Sequence, residues 1–174
     1  GREHNVPMRM ADAAHHANEE QAEFLAQLVG NALEGGLKGK HVAIWGLAFK
    51  PDKDDIREAP SVKLVKVLLD AGVKVTGHDP EAGPNFRELF GDAVTVKNKD
   101  YDALDGADAL VLLTEWRSYR APDVQEIKKR LRGASPLLVD ARNIWRPGEV
   151  IKAGLRYQGI GVALNARADR PSTY

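Results

Sequence analysis

HVAIWGLAFKPDKDDIREAPSVKLVKVLLDAGVKVTGHDP, residues 41–80, holds a strand, a helix and a second strand in that order. Residues 41–47 are a nearly unbroken apolar run, the pattern of a strand covered on both faces. Residues 61–71 repeat apolar positions with helical spacing, with Pro60 just before and Gly72 just after. Residues 74–78 read as the second strand, closed by Asp79-Pro80. A strand, a helix and a strand in succession predict parallel pairing through a right-handed crossover.

The alternation continues to the end of the chain. Strands are expected at 94–97, 107–114, 136–141 and 156–162, and helices at 85–90, 123–131 and 147–153. The expected fold is α/β, a Rossmann-like, doubly wound parallel sheet of about six strands in the order 3-2-1-4-5-6. A long helix precedes it. Met10, Ala14, Ala17, Gln21, Phe24, Leu28 and Ala32 recur at spacings of three and four, and Gly35-Gly36 supplies the stop. Residues 10–33 would span roughly 36 Å at the helical rise. Such a helix either lies along its own domain or joins domains or subunits, and its length and Ala-rich stripe favour the second. The expected organisation is a helix over 1–36, a nucleotide-binding domain over 37–164 and a flexible tail over 165–174.

Composition narrows the function. In 174 residues, 25 Lys plus Arg balance 25 Asp plus Glu, so the overall electrostatic footprint of a nucleic-acid or anionic-membrane partner is missing. Cysteine is absent, which excludes disulfides, thiolate metal sites and a cysteine nucleophile within this chain. The longest aliphatic run, 109–113, is far too short to span a bilayer. These features lead to the expectation of a soluble, cytoplasmic domain. The histidines His4, His41 and His78 lack metal-ligand spacing, and the adjacent His15 and His16 point apart on a helix. No metal site is expected. The basic run Lys128-Lys129-Arg130-Leu131-Arg132 reads as a solvated helix end.

In the expected topology the switch point lies between strands one and four, and ligands bind outside the carboxyl ends of strands there. Strand one ends in Gly46-Leu47-Ala48-Phe49-Lys50, strand four in Thr114-Glu115-Trp116, and strand five in Asp140-Ala141-Arg142-Asn143. Lys50, Arg57 and Arg142 would bring cations to this crevice, beside the flat faces of Phe49 and Trp116. That combination suits a phosphate or diphosphate attached to a base or sugar. The alternative is that the cations are surface charges paired with Asp52, Asp54, Asp55 and Glu58. The dinucleotide turn G-x-G-x-x-G is missing: Leu47, Ala48 and Phe49 follow Gly46, and the next helix starts more than ten residues later. The domain is therefore not expected to bind NAD by itself. Asp79 could act as a ribose-binding acid, but its Pro80 neighbour favours a turn or cap role.

GLAFKP at 46–51, DDIREAPS at 54–61, HDP at 78–80, TEW at 114–116 and DARN at 140–143 occur in order. Together they resemble the C-terminal, UDP-binding domain of nucleotide-sugar dehydrogenases, with the DIREAPS wording closest to the UDP-glucose branch. The resemblance runs from about Asn5 to Val162, and the first helix, with Asn18 and Gln21, resembles the end of the family's central helix. It implies an enzyme that oxidises UDP-glucose to UDP-glucuronate and reduces two NAD. It also implies that Phe49, Lys50 and Arg142 contact the UDP-sugar and that Arg57 reaches NAD held mainly by another domain. The family's Gly-rich cofactor turn and catalytic cysteine, with its Lys and Asp, lie upstream of the matched region. No catalytic residue is therefore expected here, and the chain alone should be inactive. Family dimers form through the central helix, so a homodimer is implied. The rival readings are a noncatalytic nucleotide-binding or scaffold domain and a dehydrogenase for another UDP-sugar.

Overall fold

The computed structural model describes residues 9–165, with side chains described from Glu20 onward. The elements are α1 (Arg9–Ala32), β1 (His41–Trp45), α2 (Pro60–Asp70), β2 (Lys74–His78), α3 (Gly83–Phe90), β3 (Val94–Val96), β4 (Ala109–Leu112), α4 (Val124–Arg130), β5 (Leu137–Asp140), α5 (Pro147–Lys152) and β6 (Arg156–Gly159). All six strands are parallel in the order β3-β2-β1-β4-β5-β6, as the alternation predicts. Short 3-10 turns at 91–93, 101–104 and 117–119 were not foreseen.

The central strands β1, β4 and β5 are buried at every position, which explains why they read as continuous apolar runs. Trp45 anchors the core at the end of β1. Its ring stacks on Tyr119 at 4.9 Å and meets Tyr101 and Trp145 edge-on at 5.4 and 6.3 Å, and its indole donates to the Asp100 carbonyl at 2.8 Å. His41 and His78 are also core groups. Their rings bond Thr76 Oγ1 and Tyr119 Oη, and burial pushes both pKa values below the usual histidine range. A neutral, committed ring is a structural one.

The strands are shorter than the apolar runs because specific residues end them. Gly46 leaves β1 with φ at +89°, and a Cβ there would lie 2.5 Å from both Cβ and the backbone N of Thr114. The ends of β1 and β4 thus approach so closely that only glycine fits. The edge of β6 is covered by Asn165, whose backbone donates to the Tyr157 carbonyl and whose Oδ1 accepts from Tyr157 N.

Helix α1 packs on α2, and its last turns join the same core as the sheet. The inward face is Ala22, Leu25, Ala26, Val29, Ala32 and Leu33, whereas Gln21 and Phe24 are exposed and Leu28 is half-buried. Of the stripe read from the sequence, Ala32 joins this packed face, whereas Gln21 and Phe24 stay outside it. Leu25, Val29 and Leu33 are buried in the core, and Phe24 is left outside at 48% exposure. The side chains of Met10, Ala14, His15, His16, Ala17 and Asn18, and the whole of His4, Asn5 and the tail beyond 165, lie outside what is described.

Gly46→Ala should destabilise the domain by about 2–4 kcal/mol, from left-handed backbone strain plus overpacking against Thr114. Chemical denaturation of the variant checks this, and a loss below about 0.5 kcal/mol would contradict the close approach.

Candidate nucleotide-binding site

The loops after β1, β2 and β4 are held by one carboxylate. Asp79 is buried at 5% exposure. Its Oδ2 accepts from Leu47 N at 2.7 Å, Ala48 N at 3.0 Å and the Trp116 indole at 3.0 Å, and its Oδ1 accepts from Glu81 N and Ala82 N. The capping reading of Asp79 holds, and it extends beyond its own turn. Ser61 donates to the Leu47 carbonyl and Thr114 to the Ala48 carbonyl at 2.6 Å, so this turn is satisfied on both sides. Trp116 lies 6% exposed against Asp79, so it belongs to the wall and offers no open stacking face.

The same geometry tests the fit of a dinucleotide. A pyrophosphate needs free backbone N–H groups and close approach just after the first strand. Here the Leu47 and Ala48 N–H groups are taken by Asp79, and the space beside Gly46 is filled by Thr114. Both Asp79 oxygens are engaged, which leaves no acid for a ribose. These residues do not fit NAD at the first turn of the sheet.

Beyond the turn, Phe49 and Lys50 project outward. Phe49 is 49% exposed, and Lys50 Nζ stands 5.6 Å from its ring centroid. The following loop folds back through Phe49 N to the Asp55 carbonyl at 2.9 Å, and Asn85 of α3 donates to the Asp54 carbonyl. Asp52 and Glu58 take positive φ in this loop, at 61° and 54°. Arg57 forms a fork with Asp55 at 2.9 and 2.8 Å, and this pairing holds the Asp55 carboxyl at about 2. Arg57 lines an open cleft of about 890 Å³ with Asp54, Glu58, Lys66, Asn85 and Glu88. None of Phe49, Lys50 or Arg142 lines that cleft.

At the end of β5, Asp140 repeats the device of Asp79. Fully buried, it accepts from the N–H groups of Arg142 and Trp145 and from the Tyr157 hydroxyl. Burial raises its pKa, and those bonds oppose the rise. Arg142 then pairs with Glu115 of the neighbouring loop, Nε to Oε2 at 2.6 Å and Nη2 to Oε1 at 2.8 Å. Burial of Glu115 is outweighed by the Arg142 hydrogen bond and charge, so its pKa lies below normal. Reading the chain alone missed the pairing of Glu115 with Arg142. Its signal was the place of TEW just past β4, beside DARN at the end of the neighbouring strand β5.

Other features carry less. In the basic run, Arg130 is tied to Glu126, Asp102 and Asp105, as expected of a helix end. Among the described residues no His, Asp and Glu cluster could hold a metal, and no helix is long and apolar enough to cross a membrane.

Residues 43–147 match the model of the UDP-glucose/GDP-mannose dehydrogenase family, UDP binding domain. A UDP-glucose 6-dehydrogenase of Pseudomonas aeruginosa is 46% identical over 149 residues, covering 83% of this chain and 32% of that protein. One from Rhizobium meliloti is 40% identical over 159 residues, covering 91% and 36%. Among solved structures, a UDP-glucose dehydrogenase of Pyrobaculum islandicum superimposes with a TM-score of 0.72 at 31% identity, over 94% of this chain and 34% of that one. An NDP-N-acetyl-D-galactosaminuronic acid dehydrogenase of Methanosarcina mazei gives 0.74 at 28%, over 90% and 32%. The chain spans about a third of the length of the relatives it matches. A parallel sheet with this strand order, the shared motif region and the relatives agree: the chain belongs to the UDP-glucose/GDP-mannose dehydrogenase family and corresponds to its UDP binding domain.

Proposed function

We propose that this chain supplies UDP recognition to a cytoplasmic enzyme that oxidises UDP-glucose to UDP-glucuronate with two NAD. The observation that carries the reading is the placement of Phe49, Lys50 and Arg142 on the loops after β1 and β5, at the carboxyl edge flanking the β1/β4 switch point. Lys50 offers a point charge to the diphosphate, Arg142 a planar fork, and Phe49 an apolar face to the nucleoside. Arg57 would reach NAD only by leaving or sharing its Asp55 pairing, and the NAD itself would be held by a part of the protein outside this chain. Sequence identity favours UDP-glucose as substrate. The Methanosarcina neighbour supports a second reading, in which another nucleotide sugar is oxidised.

Calorimetry with UDP should show binding by the chain, weakened roughly ten- to hundredfold in Lys50→Ala and in Arg142→Ala, the range for losing one charge-assisted hydrogen bond. Unchanged affinity in both variants would remove the proposed site.

With NAD and UDP-glucose the chain alone should produce no NADH. It contains no cysteine nucleophile, and its first turn does not fit the dinucleotide. Steady NADH formation abolished by Lys50→Ala would place catalysis in this domain and refute the division of labour.

We further propose that the outer face of α1 forms a homodimer contact, supported by the exposed Phe24 beside the half-buried Leu28. Because the inner face of α1 is part of the core, deleting the helix would damage the fold, so a point change is the better probe. Sedimentation should show a dimer that Phe24→Glu converts to a monomer with an unchanged far-UV circular dichroism spectrum. A monomeric parent chain would sink the proposal.

A further inference from the structure

Arg142 and Glu115 form a fork that leaves half of the guanidinium unused. An arginine carries five N–H donors. Glu115 takes the Nε–H and one Nη2–H, and no other acceptor among the described residues bonds the side chain. Three donors remain on the Nη1/Nη2 end, enough for a second two-point contact with an anion. Both partners stand on clamped backbone. Glu115 lies between Thr114, bonded to the Ala48 carbonyl, and Trp116, bonded to Asp79. Arg142 lies between Ala141, whose N–H bonds the Leu112 carbonyl, and Asn143, whose side chain pairs with Ile160 in both directions. The Arg142 N–H is itself held by Asp140. The Glu115 side chain is 24% exposed and that of Arg142 45%, so the pair has a sheltered and an open side.

We propose that Glu115 is a positioning residue for the nucleotide site, fixing the Arg142 guanidinium so that its open end receives the diphosphate. The inference rests on the reading in which Arg142 contacts UDP. Two effects of Glu115 oppose each other. Its charge repels a diphosphate, but at a half-exposed site that repulsion is reduced by solvent and salt. Its fork removes the rotational freedom of a long side chain before the ligand arrives, a gain of roughly three- to tenfold in affinity. The second effect wins where salt screens the first.

The test uses the whole chain, UDP as probe, and about 0.5 M salt to screen the repulsion. Without ligand, the Arg142 Nε–H resonance should be resolved and slow to exchange in the parent chain, and averaged in Glu115→Gln. UDP affinity should fall roughly three- to tenfold in Glu115→Gln. Glu115→Asp keeps the charge but shortens the reach, so it should fall similarly and serves if the Gln variant folds poorly. In an Arg142→Lys background, where no fork can form, the same Gln change should alter affinity by less than about twofold. Equal or tighter UDP binding by Glu115→Gln, or the same loss in the Lys background, would overturn the proposal. If Arg142→Ala weakens UDP while Glu115→Gln leaves it unchanged, positioning alone fails. If Arg142→Ala leaves UDP affinity intact, the site reading fails and takes this inference with it.

Discussion

The carboxylate of Asp79 is the constraint on which the carboxyl edge of the sheet depends. It gathers five N–H donors from the loops after β1, β2 and β4 into one buried site. The bonds to Leu47, Ala48, Ala82 and Trp116 are buried, and there a polar group without a partner costs about 1–3 kcal/mol. One side chain thus stabilises three irregular segments at once. Asp140 does the same for the loop after β5. Between them, the two acids turn the mouth of the switch point into a rigid frame. Glu115 and Arg142 stand on that frame, and their pairing joins the β4 loop to the β5 loop.

How much of this was legible in the chain follows from the range of each interaction. Strand order could be read because alternation and continuous apolar runs are local signals with a global consequence. Strand ends could not, because Gly46 leaves β1 against Thr114, a residue just past the end of β4 and far from it in the chain. Helix α1 shows the same limit: Leu25, Val29 and Leu33 and the pair Phe24 and Leu28 are both apolar at helical spacing, and only the fold shows that the first set is buried and Phe24 is left outside. At the site, Lys50, Phe49 and Arg142 were visible as residue types at predicted strand ends. The Arg57–Asp55 fork was visible only as a possibility, since a two-residue separation permits pairing without requiring it. Asp79 was seen as a turn residue, but its bonds to residues 31 and 32 positions earlier in the chain needed the fold.

The departure from a dinucleotide-binding turn has a consequence for how an anion can be recognised. In the usual arrangement a helix begins directly behind the first strand and offers backbone N–H groups and its dipole to phosphate. Here α2 begins only at Pro60, which has no N–H to offer. The loop before it is tied up by its own ion pairs, Arg57 with Asp55 and Lys63 of α2 with Glu58. Backbone recognition is therefore closed off at this turn, and in the proposed reading side chains must replace it. Backbone donors are pre-ordered by the fold itself, whereas long cationic side chains lose rotamer freedom when they bind. A site built on Lys50 and Arg142 gains from anything that orders those side chains in advance. The Phe49 ring beside the Lys50 ammonium and the Glu115 carboxylate on the Arg142 fork are two such supports, and they differ in strength. At 5.6 Å from the ring centroid in an exposed setting, the first contributes at most about 1 kcal/mol and leaves the ammonium mobile. The second is a two-point, partly sheltered pair with both backbones clamped, so Arg142 is the more sharply oriented cation and Lys50 the adaptable one.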